Sequence, residues 1–359
     1  METGILYAFY VLCSFFLLSV LFSFQINRLL LRFVRTLGIR NTNDTVIRWG
    51  SQSKPSVGGL SFYILFLLSI ITFAVTFDSS QVFLNKEFIG LLLATMLGFL
   101  LGLADDAYDT RPVLKLLTQI TCGVILMVTG TQITISYLEP VNYVITVFWV
   151  VGIMNSLNML DNMDAISTTV SISIILSVQM TLCFGGDFNS VYFMILTGVL
   201  GALTGFLYFN WHPSKIYMGD TGSQFLGVFL AAIGIKYLWN SPVHGGDLIS
   251  ARNFFLPLMV FLLPIIDTTT VTINRLLAGR SPFIGGKDHT THSLGYLGLS
   301  DRQVAIVFAV ISLFSVFIVY MIERFLQGWD HVYTAIFSAY FLAIFSLFYY
   351  ASRVAQKNR

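Results

Sequence analysis

Eleven apolar runs, each about the length that crosses a bilayer, constrain this chain more than any other feature. They lie near residues 4–24, 56–77, 88–104, 113–137, 141–157, 166–184, 191–210, 222–239, 253–273, 303–322 and 332–352. Within each run the apolar residues are continuous rather than alternating, which specifies helices and excludes a transmembrane β-barrel. Only 11% of the 359 residues are charged and 56% are hydrophobic. A soluble domain carries about 25% charged residues, so a soluble enzyme, a disordered chain and a coiled coil are excluded. The expected fold is all-α and polytopic. Residues 1–359 read as a single membrane domain without repeats, linkers or low-complexity tracts.

The charges give the runs a direction. With the N-terminus outside, the inner segments collect 16 of the 20 Lys and Arg residues, including Arg28, Arg32, Arg35, Arg40, Arg48, Lys54, Arg111 and Lys115. The outer segments hold only Lys86, Lys236, Arg252 and Arg324. That asymmetry is a positive-inside signal and places the C-terminus in the cytoplasm. Glu2 and no basic residue precede the first run, so it reads as a retained helix rather than a signal peptide. Cys13, Cys122 and Cys183 are scattered singly in or beside apolar runs, against a disulfide framework or a zinc site.

The acidic residues sort by face as well. Glu2, Glu87, Glu139 and Glu323 fall outside, whereas Asp44, Asp105, Asp106, Asp109, Asp161, Asp164, Asp220, Asp267, Asp288 and Asp301 fall on or near the inside. Carboxylates contribute little to topology, so their clustering points to bound cations.

Five segments carry the chemistry. Asp105-Asp106-Ala107-Tyr108-Asp109 follows a Leu- and Gly-rich run. Its crowded carboxylates suit Mg²⁺–phosphate chemistry or a general base, the bland alternative being a solvated helix end. Asn155-Ser156-Leu157-Asn158 runs on to Asp161 and Asp164 at three-residue spacings. If the helix continues, these groups share a face and line a polar cavity. Met218-Gly219-Asp220-Thr221-Gly222-Ser223 reads as a helix N-terminus whose free N–H groups favour phosphate, or as an ordinary N-cap. The longest inner loop contains Arg280, Lys287, Asp288, His289 and His292, a basic set suited to phosphate or sugar. Two histidines three apart also suit a transition metal. Finally, Lys54-Pro55-Ser56-Val57-Gly58-Gly59 sets a cation beside a Gly-Gly pair, suited to a lipid phosphate at the interface. Asp267 lies two turns before Arg275 on one helix face, about 12 Å away along the axis, too far for a direct pair unless the helix breaks.

In this order, the stretches Lys54–Gly59, Asp105–Asp109, Asn155–Asp164, Asn210, Met218–Ser223 and Asp288–His292 resemble the polyprenyl-phosphate N-acetylhexosamine-1-phosphate transferases. These are integral membrane enzymes that move a sugar-1-phosphate from a UDP-sugar to a lipid phosphate. The chain looks like the WecA-type branch, which uses UDP-GlcNAc and initiates cell-surface polysaccharides such as lipopolysaccharide. The MraY-type branch shows three consecutive histidines where this chain has His289-Thr290-Thr291-His292. The resemblance implies Mg²⁺, or Mn²⁺ in its place, with Asp220 as ligand and Asn158 and Asp161 near the ion. It implies that Asp105 or Asp106 deprotonates or positions the acceptor phosphate. Asp164, Asn210 and a stacking Tyr217 would contact the nucleotide, and Asn155 would line the substrate cavity. Lys54, Lys115, His289 and His292 would hold phosphates. It implies a bacterial inner-membrane location and a homodimer, with no nucleic-acid partner. The rival reading is an intramembrane prenyltransferase using Asp105, Asp106 and Asp109 as an Asp-Asp-x-x-Asp motif. That reading leaves the Gly-Asp-Thr-Gly-Ser and Asp-His-Thr-Thr-His segments unexplained.

Overall fold

The computed structural model describes residues 2–37, 54–77, 81–241, 250–281, 286–326 and 328–357. Arg40, Asp44, Arg48, Arg359 and the loop stretch 282–285 lie outside the described residues. Thirteen α-helices are described. They are α1 (Glu2–Leu37), α2 (Gly59–Thr76), α3 (Lys86–Tyr108), α4 (Pro112–Val128), α5 (Glu139–Leu160), α6 (Ile166–Gly185) and α7 (Val191–Asn210). Then follow α8 (Gly219–Gly234), α9 (Ala251–Val260), α10 (Leu262–Leu277), α11 (Thr290–Tyr296), α12 (Asp301–Phe325) and α13 (His331–Lys357). Among the described residues there is no strand; one isolated parallel bridge joins Ser56 to Tyr217.

Each of the eleven expected runs contains a helix. Nine are long and apolar enough to cross a membrane, and α9 with α10 makes a tenth that bends by 81°. The bend falls at Phe261, between Pro257 and Pro264, each of which removes a backbone donor. The eleventh, α4, has 17 residues and spans about 25 Å. It stops at Val128, short of the expected 137, and the chain leaves through Gly130 at φ +102°. The backbone amides of Ile133, Thr134, Ile135 and Ser136 then bond to side chains of Thr146, Asn142 and Asn240 instead of continuing a helix.

The bundle is built around α8. Every residue of that helix except Asp220 is buried, against α3, α5 and α2. Lipid supplies no hydrophobic force between helices, so close approach through small residues does the joining. A Cβ at Gly59 on α2 would lie 2.2 Å from the Gly222 nitrogen of α8. One at Gly102 on α3 would lie 2.2 Å from the Asp220 carbonyl oxygen. Both contacts sit at the start of α8 and draw three polar helix ends together.

Candidate active site

The C-terminal end of α3, the N-terminal ends of α4 and α8 and the C-terminal end of α5 meet at one end of the bundle. Lys115, in the first turn of α4, stands at their centre. Its ammonium is 2.7 Å from Asp105 Oδ2, 3.3 Å from Asn158 Oδ1 and 3.8 Å from Asp220 Oδ1. The other oxygen of Asp105 accepts from the Thr110 amide at 2.9 Å and from the Thr110 hydroxyl. Asn158 donates to Asp220 and, at 2.9 Å, to the Ser223 hydroxyl. The Asp220 side chain keeps 33% of its surface exposed, more than Lys115 at 18% or Asp105 at 8%.

Adjacent carboxylates were expected to crowd one another. Successive helical residues diverge by about 100°, and Asp106 turns the other way. It accepts from the amides of Asp220 at 3.1 Å and Thr221 at 2.8 Å, and from the Thr221 hydroxyl at 2.7 Å. The amides at the start of α8 are thus capped by a carboxylate from α3, an arrangement the helix dipole favours. The sequence reading left those two amides for a phosphate.

A second cluster surrounds Asp164. The α5 helix ends at Leu160 with Asp161 as its cap, so Asp164 lies beyond it rather than on its face. Asp164 accepts from the Ser214 amide at 2.9 Å and hydroxyl at 2.6 Å, with His212 Nδ1 at 3.0 Å and Lys54 Nζ at 3.7 Å. Lys54 also donates to Ser214 and lies 5.2 Å from the centre of the Tyr217 ring. The Pro55–Gly59 segment is zipped to residues 217–218 by three backbone hydrogen bonds of 2.9–3.1 Å, which fixes Lys54 beside that ring. Asn210 is buried. It donates to the Ile216 carbonyl and accepts from the Ala165 amide and the Thr168 hydroxyl, tying α7 to the loops on either side.

A third cluster comes from the bent span. Asp267 does not pair with Arg275, as its spacing required. One of its oxygens lies 2.9 Å from His289 Nδ1, and the other accepts from the Thr290 amide and hydroxyl at 2.8 and 2.6 Å. Arg275 makes a two-pronged contact with Asp288 at 2.8 and 2.7 Å. Burial raises the Asp288 carboxyl, but the Arg275 contact outweighs it and holds the group below the usual carboxylate range. His292 is buried, its ring centre 5.4 Å from that of His289. Thr291 bonds to Asn162 at 2.7 Å, linking this cluster to the loop between Asp161 and Asp164.

Asn155 sits deeper, paired with Gln119 through two hydrogen bonds of 2.8 and 3.3 Å. Sequence reading missed Gln119, Gln224 and Ser214, and it gave Thr110 and His212 no role. A carboxamide inside an apolar run was the available signal for the first two.

The oxygen donors of Asp105, Asp220 and Asn158 are hard ligands, the type that holds Mg²⁺. They already surround one compact cation, Lys115. Among the described residues, no three His, Cys, Asp or Glu side chains are arranged to hold a metal ion by themselves.

Residues 88–238 match the profile of "Glycosyl transferase family 4". The chain is 26% identical over 272 residues to a probable undecaprenyl-phosphate N-acetylglucosaminyl 1-phosphate transferase of Bacillus subtilis, covering 73% of this chain and 72% of that one. It is 28% identical over 283 residues to a decaprenyl-phosphate N-acetylglucosaminephosphotransferase of Mycolicibacterium smegmatis, covering 71% and 68%. It is 29% identical over 298 residues to a phospho-N-acetylmuramoyl-pentapeptide-transferase of Carboxydothermus hydrogenoformans, covering 74% and 84%. The match spans α3 through α8, the helices that carry the Lys115 cluster, and over that stretch the chain is similar to glycosyl transferase family 4.

Proposed function

We propose that this protein transfers N-acetylglucosamine-1-phosphate from UDP-GlcNAc to a polyprenyl phosphate, of which undecaprenyl phosphate is our choice. UMP is released and a lipid-diphosphate sugar is formed. The observation that carries this reading is the convergence of Asp105, Asn158 and Asp220 on the Lys115 ammonium at one end of a membrane bundle. A lipid phosphate and a soluble nucleotide can meet there. Two relatives named for N-acetylglucosamine transfer support the sugar, and the interrupted His289/His292 pair supports it against a muramoyl-pentapeptide substrate.

In the reaction an oxygen of the lipid phosphate bonds to the β-phosphorus of the UDP-sugar. The bond from that phosphorus to the oxygen bridging to the α-phosphate breaks, and UMP takes that oxygen and the electron pair. Both reactants are anions, so positive charge must precede them. Lys115 supplies it at the centre, with Asp105 and Thr110 fixing its position. Asp106 holds the first turn of α8 and thereby aims Asp220. Lys54, His289 and His292 serve in this reading as phosphate-binding groups, and Tyr217 offers its ring to the nucleobase. Asp164 and Asn210 act on the nucleotide through the loops they hold, and Asp161 stands beside Asn158 at the end of α5. Mg²⁺, held by Asp220 with Asn158, would neutralise the diphosphate and stabilise charge on the transferring group.

Sixteen inner basic residues against four outer ones support an inner-membrane protein with its N-terminus outside and this site on the cytoplasmic face. Purified protein in detergent, given polyprenyl phosphate, Mg²⁺ and a panel of UDP-sugars, tests the reading through UMP release. The expected outcome is release with UDP-GlcNAc, abolished by EDTA and by Asp220→Ala. Release with another sugar alone would replace the substrate. No release with any sugar from folded protein would overturn the transfer reaction in favour of prenyl transfer.

A further inference from the structure

Below the charged cluster lies an uncharged copy of it. Gln119 follows Lys115 by four residues on α4, Gln224 follows Asp220 by four on α8, and Asn155 precedes Asn158 by three on α5. The first two helices begin at the site and the third ends there, so all three steps lead about one turn into the membrane, about 4.5–6 Å. The three carboxamides meet. Gln119 exchanges hydrogen bonds with Asn155 at 2.8 and 3.3 Å and donates to Gln224 Oε1 at 3.1 Å. Gln119 and Gln224 are 1% and 0% exposed. No apolar packing argument calls for three amides at one depth on three helices, each beneath a member of the cluster above.

We infer that Gln119, Asn155 and Gln224 form a positioning floor that sets the height and rotation of α4, α5 and α8, and so places Lys115 between Asp105 and Asp220. Lys115 ends a flexible four-carbon stem, so its ammonium goes where the helix and its oxygen partners direct it. Carboxamides suit the task because each can donate and accept without charge, although Gln224 here only accepts and its buried Nε2 has no partner among the described residues. A carboxylate or ammonium one turn below would compete for Lys115 or for Asp220. Side-chain hydrogen bonds in membrane proteins are individually weak, so the floor contributes little to overall stability. A displacement of the catalytic groups by about 1 Å costs on the order of a hundredfold in rate. The balance of these magnitudes makes the floor a device for geometry.

The catalytic part of this inference rests on the proposed transferase reading, and the test separates the two. Gln119→Met and Gln224→Met keep the length of the side chain and remove its hydrogen bonds. In detergent-solubilised full-length protein, labelling of Lys115 by an amine-reactive reagent is measured by mass spectrometry against the exposed Lys215 of the same molecules. The expected result is at least about threefold faster relative labelling of Lys115 in each variant, because its hold on Asp105 is loosened. kcat for UMP release falls about tenfold, with KM for the UDP-sugar within about threefold of wild type and the melting temperature nearly unchanged. Unchanged Lys115 labelling in either folded variant overturns the inference, and so does changed labelling with unchanged kcat. Wild-type protein that releases no UMP overturns the transferase reading instead, and the labelling ratio alone then decides whether the floor positions Lys115.

Discussion

Asp105 and Asp106 are neighbours in the chain and serve opposite partners. Asp105 takes the Lys115 ammonium at 2.7 Å, while Asp106 takes the backbone amides that open α8. The two substitutions should therefore separate. Asp106→Ala removes a helix cap and is expected to cost about 1–2 kcal/mol of stability along with activity. Asp105→Asn keeps the shape and loses the charge, so activity should fall about a hundredfold with the melting temperature within a few degrees of wild type. Thermal melts and UMP-release assays on the two variants check this, and equal thermal losses would contradict the division of labour.

Lys115 is the one basic group that touches Asp105, Asn158 and Asp220 together among the contacts described. Lys115→Met leaves two carboxylates facing each other without it, and the rate of UMP release is expected to fall at least about a hundredfold. Lys115→Arg should not restore it, because a planar fork cannot replace a point charge held by three oxygens on three helices. Recovery to within tenfold by Arg would mean that charge alone, without placement, is sufficient.

Much of this architecture is legible in the sequence because membrane spans announce themselves by length and continuous apolarity. All eleven runs contain helices, and the separation of Asp267 from Arg275 correctly excluded a direct pair. The losses have physical causes. The end of α4 depends on amides captured by Asn142 and Asn240, the second more than a hundred residues away. The capping of α8 by Asp106 exists only because α3 and α8 approach at Gly102, a contact no local pattern encodes. Gln119 and Gln224 each look like one tolerated polar residue in an apolar run. Their meaning lies in the meeting of three helices.

That approach of α3 and α8 can be tested directly. A methyl group at Gly102 would lie 2.2 Å from the Asp220 carbonyl oxygen, and one at Gly59 would lie 2.2 Å from the Gly222 nitrogen. Both obstacles are backbone, which cannot rotate away. Gly102→Ala and Gly59→Ala are each expected to cost about 1–3 kcal/mol and to lower activity by displacing the start of α8. Gly152→Ala is the control, since beyond its own helix backbone no described atom lies within 4 Å of the added carbon. It should melt and turn over like wild type, and similar losses in all three would remove close packing as the cause.

The contact between Arg275 and Asp288 gives a pH dependence with a definite sign. Burial raises the Asp288 carboxyl and the guanidinium lowers it by more, so its folded pKa lies below the unfolded value of about 3.9. A depressed carboxylate stabilises the fold fully above the unfolded pKa and loses that contribution as pH falls through the folded one. Asp288→Asn should therefore melt lower than wild type at neutral pH, by about 1–2 kcal/mol for a charge-assisted contact with a buried arginine. The gap should hold down to about pH 4 and close below it. Melting curves of the two proteins across that range decide the matter. A gap that persists unchanged in acid, where the carboxyl is protonated, would mean that Asp288 stabilises the loop by shape rather than by charge.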